Sequence, residues 1–178
     1  MPLVLALIIL AVGMAGSQSR GGPRGYYNKE FKVGFRYPSH WEFDGTKRPI
    51  DEEPGFTALA RVSAPENSYR GSQLHAASAT LAVGTVGQEA CKVFSAPNGE
   101  ATKPRRKTVG NITFYTVSGE DGAAGTVGET DIYRTFHDGR CYEVTQLVLR
   151  RNGVKPDRGV RMVNNNLAAI LRTFYFGK

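Results

Sequence analysis

An α+β domain is the fold class this chain predicts, and three features carry the expectation. Phe31, Val33, Phe35 and Tyr37 alternate with Lys32, Gly34 and Arg36, the period of a strand with one buried face. Two long segments meet at Asp138-Gly139, a dipeptide suited to the positive φ angles of a type I′ hairpin turn. Val160, Val163, Leu167, Ile170, Leu171 and Phe174 recur in steps of three and four, which places them on one stripe of a C-terminal helix.

Ahead of the domain, Met1 to Ser17 carries no charged side chain, and the apolar run Leu3 to Val12 gives way to Gly13, Met14, Ala15, Gly16 and Ser17. Small residues after a short apolar run are the pattern of a signal peptide, with cuts expected after Ala15 or Ser17. The run is too short for a membrane span, which needs roughly 20 apolar residues. Residues 18–25 are rich in Ser, Gly, Pro and Arg and read as a flexible tether, leaving 26–178 as a single domain. The chain is therefore expected to be secreted or periplasmic.

Within the domain, Pro38 ends the first strand, and Trp41 and Phe43 add aromatic mass for the core. An acidic loop, Asp51 to Gly55, precedes strands expected at Phe56 to Val62 and Gln73 to Val83, the second with alanines that would also suit a helix. A short helix around Gly87 to Phe94 would carry Cys91, and Pro97-Asn98-Gly99 marks a turn. Three strands follow at Asn111 to Ser118, Thr126 to His137 and Arg140 to Arg150, with the Gly-rich stretch Gly119 to Gly128 connecting the first two. A two-residue loop at Asp138-Gly139 pairs His137 with Arg140, Phe136 with Cys141, Thr135 with Tyr142 and Arg134 with Glu143. The last pair sets opposite charges side by side and, as an ordinary cross-strand pair, contributes about 0.2 to 1 kcal/mol. After the helix, residues 173–176 can leave as a closing strand.

Cys91 and Cys141 are the only cysteines, and after export such a pair is expected to form a disulfide. In the chain-entropy picture, closing a loop of that size stabilises the fold by about 4 kcal/mol. The 23 Lys and Arg against 16 Asp and Glu leave a formal charge of +7, none of it in the leader. That excess favours acidic contacts: an acidic protein, an acidic polymer or an anionic membrane surface. Nucleic acid satisfies the same electrostatics but fits an exported protein less well. Lys103, Arg105, Arg106 and Lys107 concentrate four positive charges in five residues, on a segment that Pro104 is expected to keep extended and outside regular structure. They are the candidate partner-binding residues.

The chain offers no catalytic constellation and no cofactor or metal signature. The Gly-rich stretch lacks the phosphate-loop pattern, and Glu120 with Asp121 would repel phosphate. Glu120, Asp121, Glu129 and Asp131 lack the spacing of a calcium loop, and His40, His75 and His137 are scattered. The serines show no nucleophile elbow. Asn111-Ile112-Thr113 is a formal glycosylation sequon that matters only in a eukaryotic source.

Gly34-Phe35-Arg36-Tyr37-Pro38-Ser39-His40-Trp41 resembles the opening of the PsbP-like proteins, with Tyr-Pro and Trp in place. The later hairpin with Tyr142-Glu143-Val144 and the helix ending Leu171-Arg172-Thr173-Phe174 are also similar, so the resemblance covers most of residues 26 to 176. It implies a central antiparallel sheet flanked by helices, an α-β-α sandwich used mainly as a non-catalytic binding or accessory module. The competing expectations are a cell-envelope hydrolase assembled from distant loops and a small lipid or ligand carrier. Converging polar groups in a deep cleft would favour the first and an enclosed apolar pocket the second.

Overall fold

The computed structural model describes residues 21–50, 55–66, 69–94, 103–123 and 125–178. The expected leader, the acidic residues 51–54 and the turn at Pro97-Asn98-Gly99 lie outside them. In chain order the strands are β1 (Arg24–Asn28), β2 (Val33–Tyr37), β3 (Glu42–Asp44), β4 (Arg48–Pro49), β5 (Phe56–Ser63) and β6 (Leu74–Gly84). A single 3₁₀ turn at Ala90–Lys92 precedes β7 (Arg105–Val109), β8 (Ile112–Ala123), β9 (Thr126–His137) and β10 (Arg140–Arg151). Helix α1 (Arg158–Arg172) and β11 (Tyr175–Phe176) complete the chain.

The long strands form one antiparallel sheet in the order β3-β5-β6-β10-β9-β8-β7, with β4 also on β5, and β1-β2-β11 form a small second sheet. Helix α1 and the small sheet together cover one face of the large sheet. Val33, Phe35 and Tyr37 from β2 meet Val160, Val163, Leu167, Ile170 and Leu171 from α1 over Ala79, Leu81, Phe114, Val144 and Val148. Side chains also tie the layers through backbone acceptors. Tyr26 Oη donates to the Leu59 carbonyl at 3.1 Å, Tyr142 Oη to Phe31 at 3.1 Å and Gln146 Nε2 to Leu167 at 2.8 Å.

The α+β class that the periodicities predict is found, dominated by the antiparallel sheet that the resemblance implies, but the flanking helices it also implies are not both present among the described residues. Among the described residues α1 is the sole α-helix, and the opposite face is covered by the strap 85–94 with its 3₁₀ turn. Ala77 and Ala79 of β6 pack in the core with β2 and α1, and Ala82 packs on the opposite face with Phe56 and the disulfide, so tertiary packing overrides helix propensity. Residues 119–128 are not a loose connection either: β8 and β9 stay paired through Glu120↔Glu129 to Ala123↔Thr126. Backbone pairing needs no side chain, so glycine content alone does not break a ladder. β1 begins at Arg24, inside the segment read as a tether, because Tyr26 finds both a strand partner in Phe35 and an acceptor in Leu59. Phe43, expected in the core, is 43% exposed and stacks on Tyr37 at the sheet margin.

The central hairpin follows its expected register in all four pairs from His137↔Arg140 to Arg134↔Glu143. Asp138 has φ 46° and Gly139 φ 75°, the left-handed pair a type I′ turn requires. At the start of α1, Asp157 caps the helix and clamps it to the sheet. Oδ1 accepts from the Val160 amide at 2.9 Å and from Ser72 Oγ at 2.9 Å, while Oδ2 accepts from the Gln73 amide at 2.7 Å. These backbone donors, Val160 foremost and then Gln73, hold its carboxyl below the usual 3.8.

Replacing Gly139 by Val should lower the melting temperature well beyond an exposed strand substitution, because a β-branched residue resists positive φ. An unchanged melting temperature would show the turn to be tolerant. Asp157 contributes stability that is fully present above the ordinary carboxylate range and is lost as pH falls through its lowered native value. Asp157→Asn keeps an N-cap acceptor but should flatten that acid limb in pH-dependent thermal melts, and Asp157→Ala should lower stability at neutral pH as well.

Candidate binding surface

The four candidate cations lie at the end of the large sheet. Arg105, Arg106 and Lys107 belong to β7, so the basic segment is regular structure, contrary to expectation, with Lys103 and Pro104 leading into it. Proline is tolerated there because it precedes the ladder at a sheet edge. β7 is held by β8 through Arg105↔Thr116, Arg106↔Tyr115 and Lys107↔Phe114. The connecting turn is Gly110-Asn111, with Gly110 at φ 61°, between the paired Val109 and Ile112. That dipeptide between two apolar residues is the sequence signal from which the strand was readable. Its own side chains gave none, since an exposed edge has no apolar alternation.

Pairing fixes where each cation stands. Arg105 and Lys107 share the face of Phe114 and Tyr133, and Arg106 shares the opposite face with Tyr115. Lys107 Nζ sits 5.0 Å from the centre of the Tyr133 ring and 3.5 Å from its hydroxyl. The Arg106 guanidinium lies 5.9 Å from the Tyr115 ring, and Lys92 Nζ approaches the same ring at 5.6 Å. Aromatic faces attract cations and so fix these long side chains without neutralising them. Arg105, Arg106, Lys103 and Lys107 are all exposed, and none is ion-paired among the described residues.

The four cations border a shallow recess of about 420 Å³ with Thr116, Ser118, Asp131 and Tyr133. Asp131 is engaged there, accepting from Ser118 Oγ and from Tyr133 Oη. Burial, reinforced by the Asp131 charge and hydrogen bond, pushes the Tyr133 hydroxyl far above its usual pKa of 10.0. Tyr133 therefore stays a neutral donor beneath Lys107.

Two larger grooves flank α1. One of about 570 Å³ runs between the helix and the sheet past Lys107, Glu129, Asp131, Gln146 and Arg172, and one of about 860 Å³ runs between the helix and β2 past Arg36, His40 and Met162. In the first, Glu129 pairs with Arg150 and Gln146 is committed to Leu167. Among the described residues no group of three or more His, Cys, Asp or Glu side chains is placed to hold a metal ion. His137 stacks on Phe176, His40 borders the helix groove and His75 is exposed, so the three histidines share no site.

The opposite face is built around charge. Cys91 and Cys141 form the expected disulfide, with Cα atoms 5.5 Å apart, anchoring the strap to the start of β10. Beside it, Arg134 and Glu143 are 2% and 3% exposed. Arg134 Nε donates to Glu143 Oε2 at 2.7 Å, Nη1 donates to the Val93 carbonyl of the strap, and Thr145 Oγ1 donates to Glu143 Oε1 at 2.8 Å. The guanidinium lies between the rings of Phe56 at 4.8 Å and Phe94 at 4.7 Å. Phe56 can lie there because Gly84 is opposite it, and a Cβ at that position would come within 2.9 Å of its ring. The pair is thus a buried ion pair rather than the modest surface pair its register suggests. The strap's burial of that face was not visible from the strands alone.

No protein-family model and no curated protein matches the chain. Solved structures do. The cyanobacterial PsbP protein of Synechocystis superposes with a TM-score of 0.50 at 9% identity, over 93% of this chain and 98% of that one. This chain has the PsbP-like fold. LpqN of Mycobacterium tuberculosis, a protein involved in cell envelope biogenesis, matches with a TM-score of 0.50 at 10% identity over 88% and 91% of the two chains. A protein of Bacteroides thetaiotaomicron matches at 0.50 and 12% identity over 86% of this chain, which spans about half, 48%, of its length.

Arg134→Met leaves the Glu143 carboxylate buried without its partner and should cost about 3 to 5 kcal/mol in denaturant unfolding. The double variant Arg134→Met, Glu143→Leu should recover most of that loss. A single variant as stable as the parent would mean that water reaches the pair.

Proposed function

We propose that the protein is an exported, non-enzymatic binding or accessory module whose basic sheet edge contacts an acidic partner. The observation that carries this reading is the placement of Lys103, Arg105, Arg106 and Lys107 at an exposed edge, with Arg106 and Lys107 set against aromatic rings and all four unpaired with carboxylates among the described residues. Evenly mixed surface charge would leave such cations neutralised by neighbours. Here the overall excess of +7 is locally concentrated, which raises association rates with an anionic surface.

The disulfide supports an extracellular or periplasmic location, because thiol pairs persist as disulfides mainly in oxidising compartments. The similarity to LpqN, itself tied to the cell envelope, supports the same setting. A carrier role has less support. The apolar cavity between the helix and the sheet, lined by Phe35, Leu81, Val144 and Phe174, measures about 10 Å³, no more than one water. An acidic protein, polymer or membrane surface is the class of partner that the edge fits.

The test compares the parent with Arg105→Glu, Arg106→Glu on immobilised polyglutamate and on phosphatidylglycerol vesicles at about 0.1 M and 1 M salt, where the Debye length falls from about 10 Å to about 3 Å. The parent should bind at low salt and release at high salt, and the variant should bind weakly at both. The variant should melt at the parent's temperature, since exposed charges contribute little to stability. Equal binding by the two proteins removes this edge from the account.

A further inference from the structure

We infer that the free edge of β7 is a strand-addition site, at which an extended acidic peptide continues the large sheet while its carboxylates meet Arg105, Arg106 and Lys107. The inference rests on the basic contact surface proposed above and names what that surface accepts.

The sheet order ends at β7, and among the described residues no strand pairs with its outer side. In an antiparallel ladder, every second residue of an edge strand turns its N–H and C=O away from its neighbour, leaving a row of unpaired donors and acceptors. An incoming extended segment satisfies them, and the alternation of its side chains supplies specificity. β7 is five residues long, enough to register a short peptide.

Charge selects the occupant. A second copy of this chain adding through the same edge would place Arg105, Arg106 and Lys107 against an identical cationic row, and like charges across a ladder are destabilising. An acidic strand reverses that sign. The cations also differ by face: Arg105 and Lys107 stand on the side of Tyr133, and Arg106 on the side of Tyr115. Acidic residues at every second position of the peptide would therefore meet two cations on one face. A flat anionic membrane could use the charges but not the outward amides of the strand. Pre-extension of β7 by β8 and restraint of its cations by two aromatic rings reduce the ordering cost of binding.

The probe is a capped octapeptide of alternating Glu and Val, titrated calorimetrically against the full protein at low salt. Two counterparts are N-methylated at every other residue, one in each phase, so that charge is kept while one row of donors is removed. The parent peptide should bind and slow hydrogen exchange at alternate β7 amides. One methylated phase should bind about tenfold more weakly or worse, as expected for losing two or so hydrogen bonds. Arg105→Glu, Arg106→Glu should weaken the parent peptide at least as much. If both methylated phases bind as tightly as the parent peptide, strand addition is overturned while the basic contact surface stands. Binding of phosphatidylglycerol vesicles without binding of the peptide overturns it equally. Indifference of every probe to the charge reversal removes both readings.

Discussion

Taking a guanidinium and a carboxylate out of water costs several kcal/mol per ion, so the pairing of Arg134 with Glu143 has to be nearly complete to be tolerated. That requirement organises the second face of the sheet. The pair forms only in the register that the Asp138-Gly139 turn dictates. Arg134 Nη1 reaches the Val93 carbonyl, which brings the strap down, and the rings of Phe56 and Phe94 close over the guanidinium. The disulfide, Gly84 and the apolar contacts of Phe136 with Cys141 serve the same closure. Among the described residues one α-helix covers the first face of the sheet, and the strap 85–94 covers the second through the Val93 carbonyl, the disulfide and the ring of Phe94.

The parts of the fold that were legible from sequence are those whose burial repeats with a regular period. The β2 alternation, the α1 stripe and the type I′ hairpin all appear as expected, and Tyr175–Phe176 closes as a short strand. What was not legible depends on partners distant in sequence. The alanines of β6 carry a helix preference that packing against distant elements reverses, Ala77 and Ala79 with β2 and α1 and Ala82 with Phe56 and the disulfide. Gly119, Gly122 and Gly128 pair because the strands on either side already run together. The Arg134 and Glu143 pairing was readable, yet its burial was not, since it depends on a strap whose position neither strand encodes.

The candidate surface shows the same division. Four cations in five residues are plain in the sequence, and their exposure follows from their chemistry. Their placement on a strand at the end of the sheet does not, because the pattern of Arg105 to Thr108 is polar throughout. The turn at Gly110-Asn111 carried the information: the register it sets fixes the face on which each cation stands, and Tyr115 and Tyr133 then restrain Arg106 and Lys107 there. Charge composition thus gives the sign of a partner, whereas strand pairing gives its geometry.

The carboxylate of Asp157 joins residues separated by 85 and 84 positions, receiving Ser72 and Gln73 from the entry to β6 while it caps α1. A local cap can nucleate its helix as soon as the turn forms, but this one is complete only after the entry to β6 has met the start of α1. Sequence-distant contacts of this kind slow folding, because loop closure is unfavourable before they form. The apolar stripe of α1 likewise has nothing to bury against until the sheet is assembled. The C-terminal helix is therefore expected to consolidate late, and the domain to unfold as one cooperative unit rather than by loss of the helix alone.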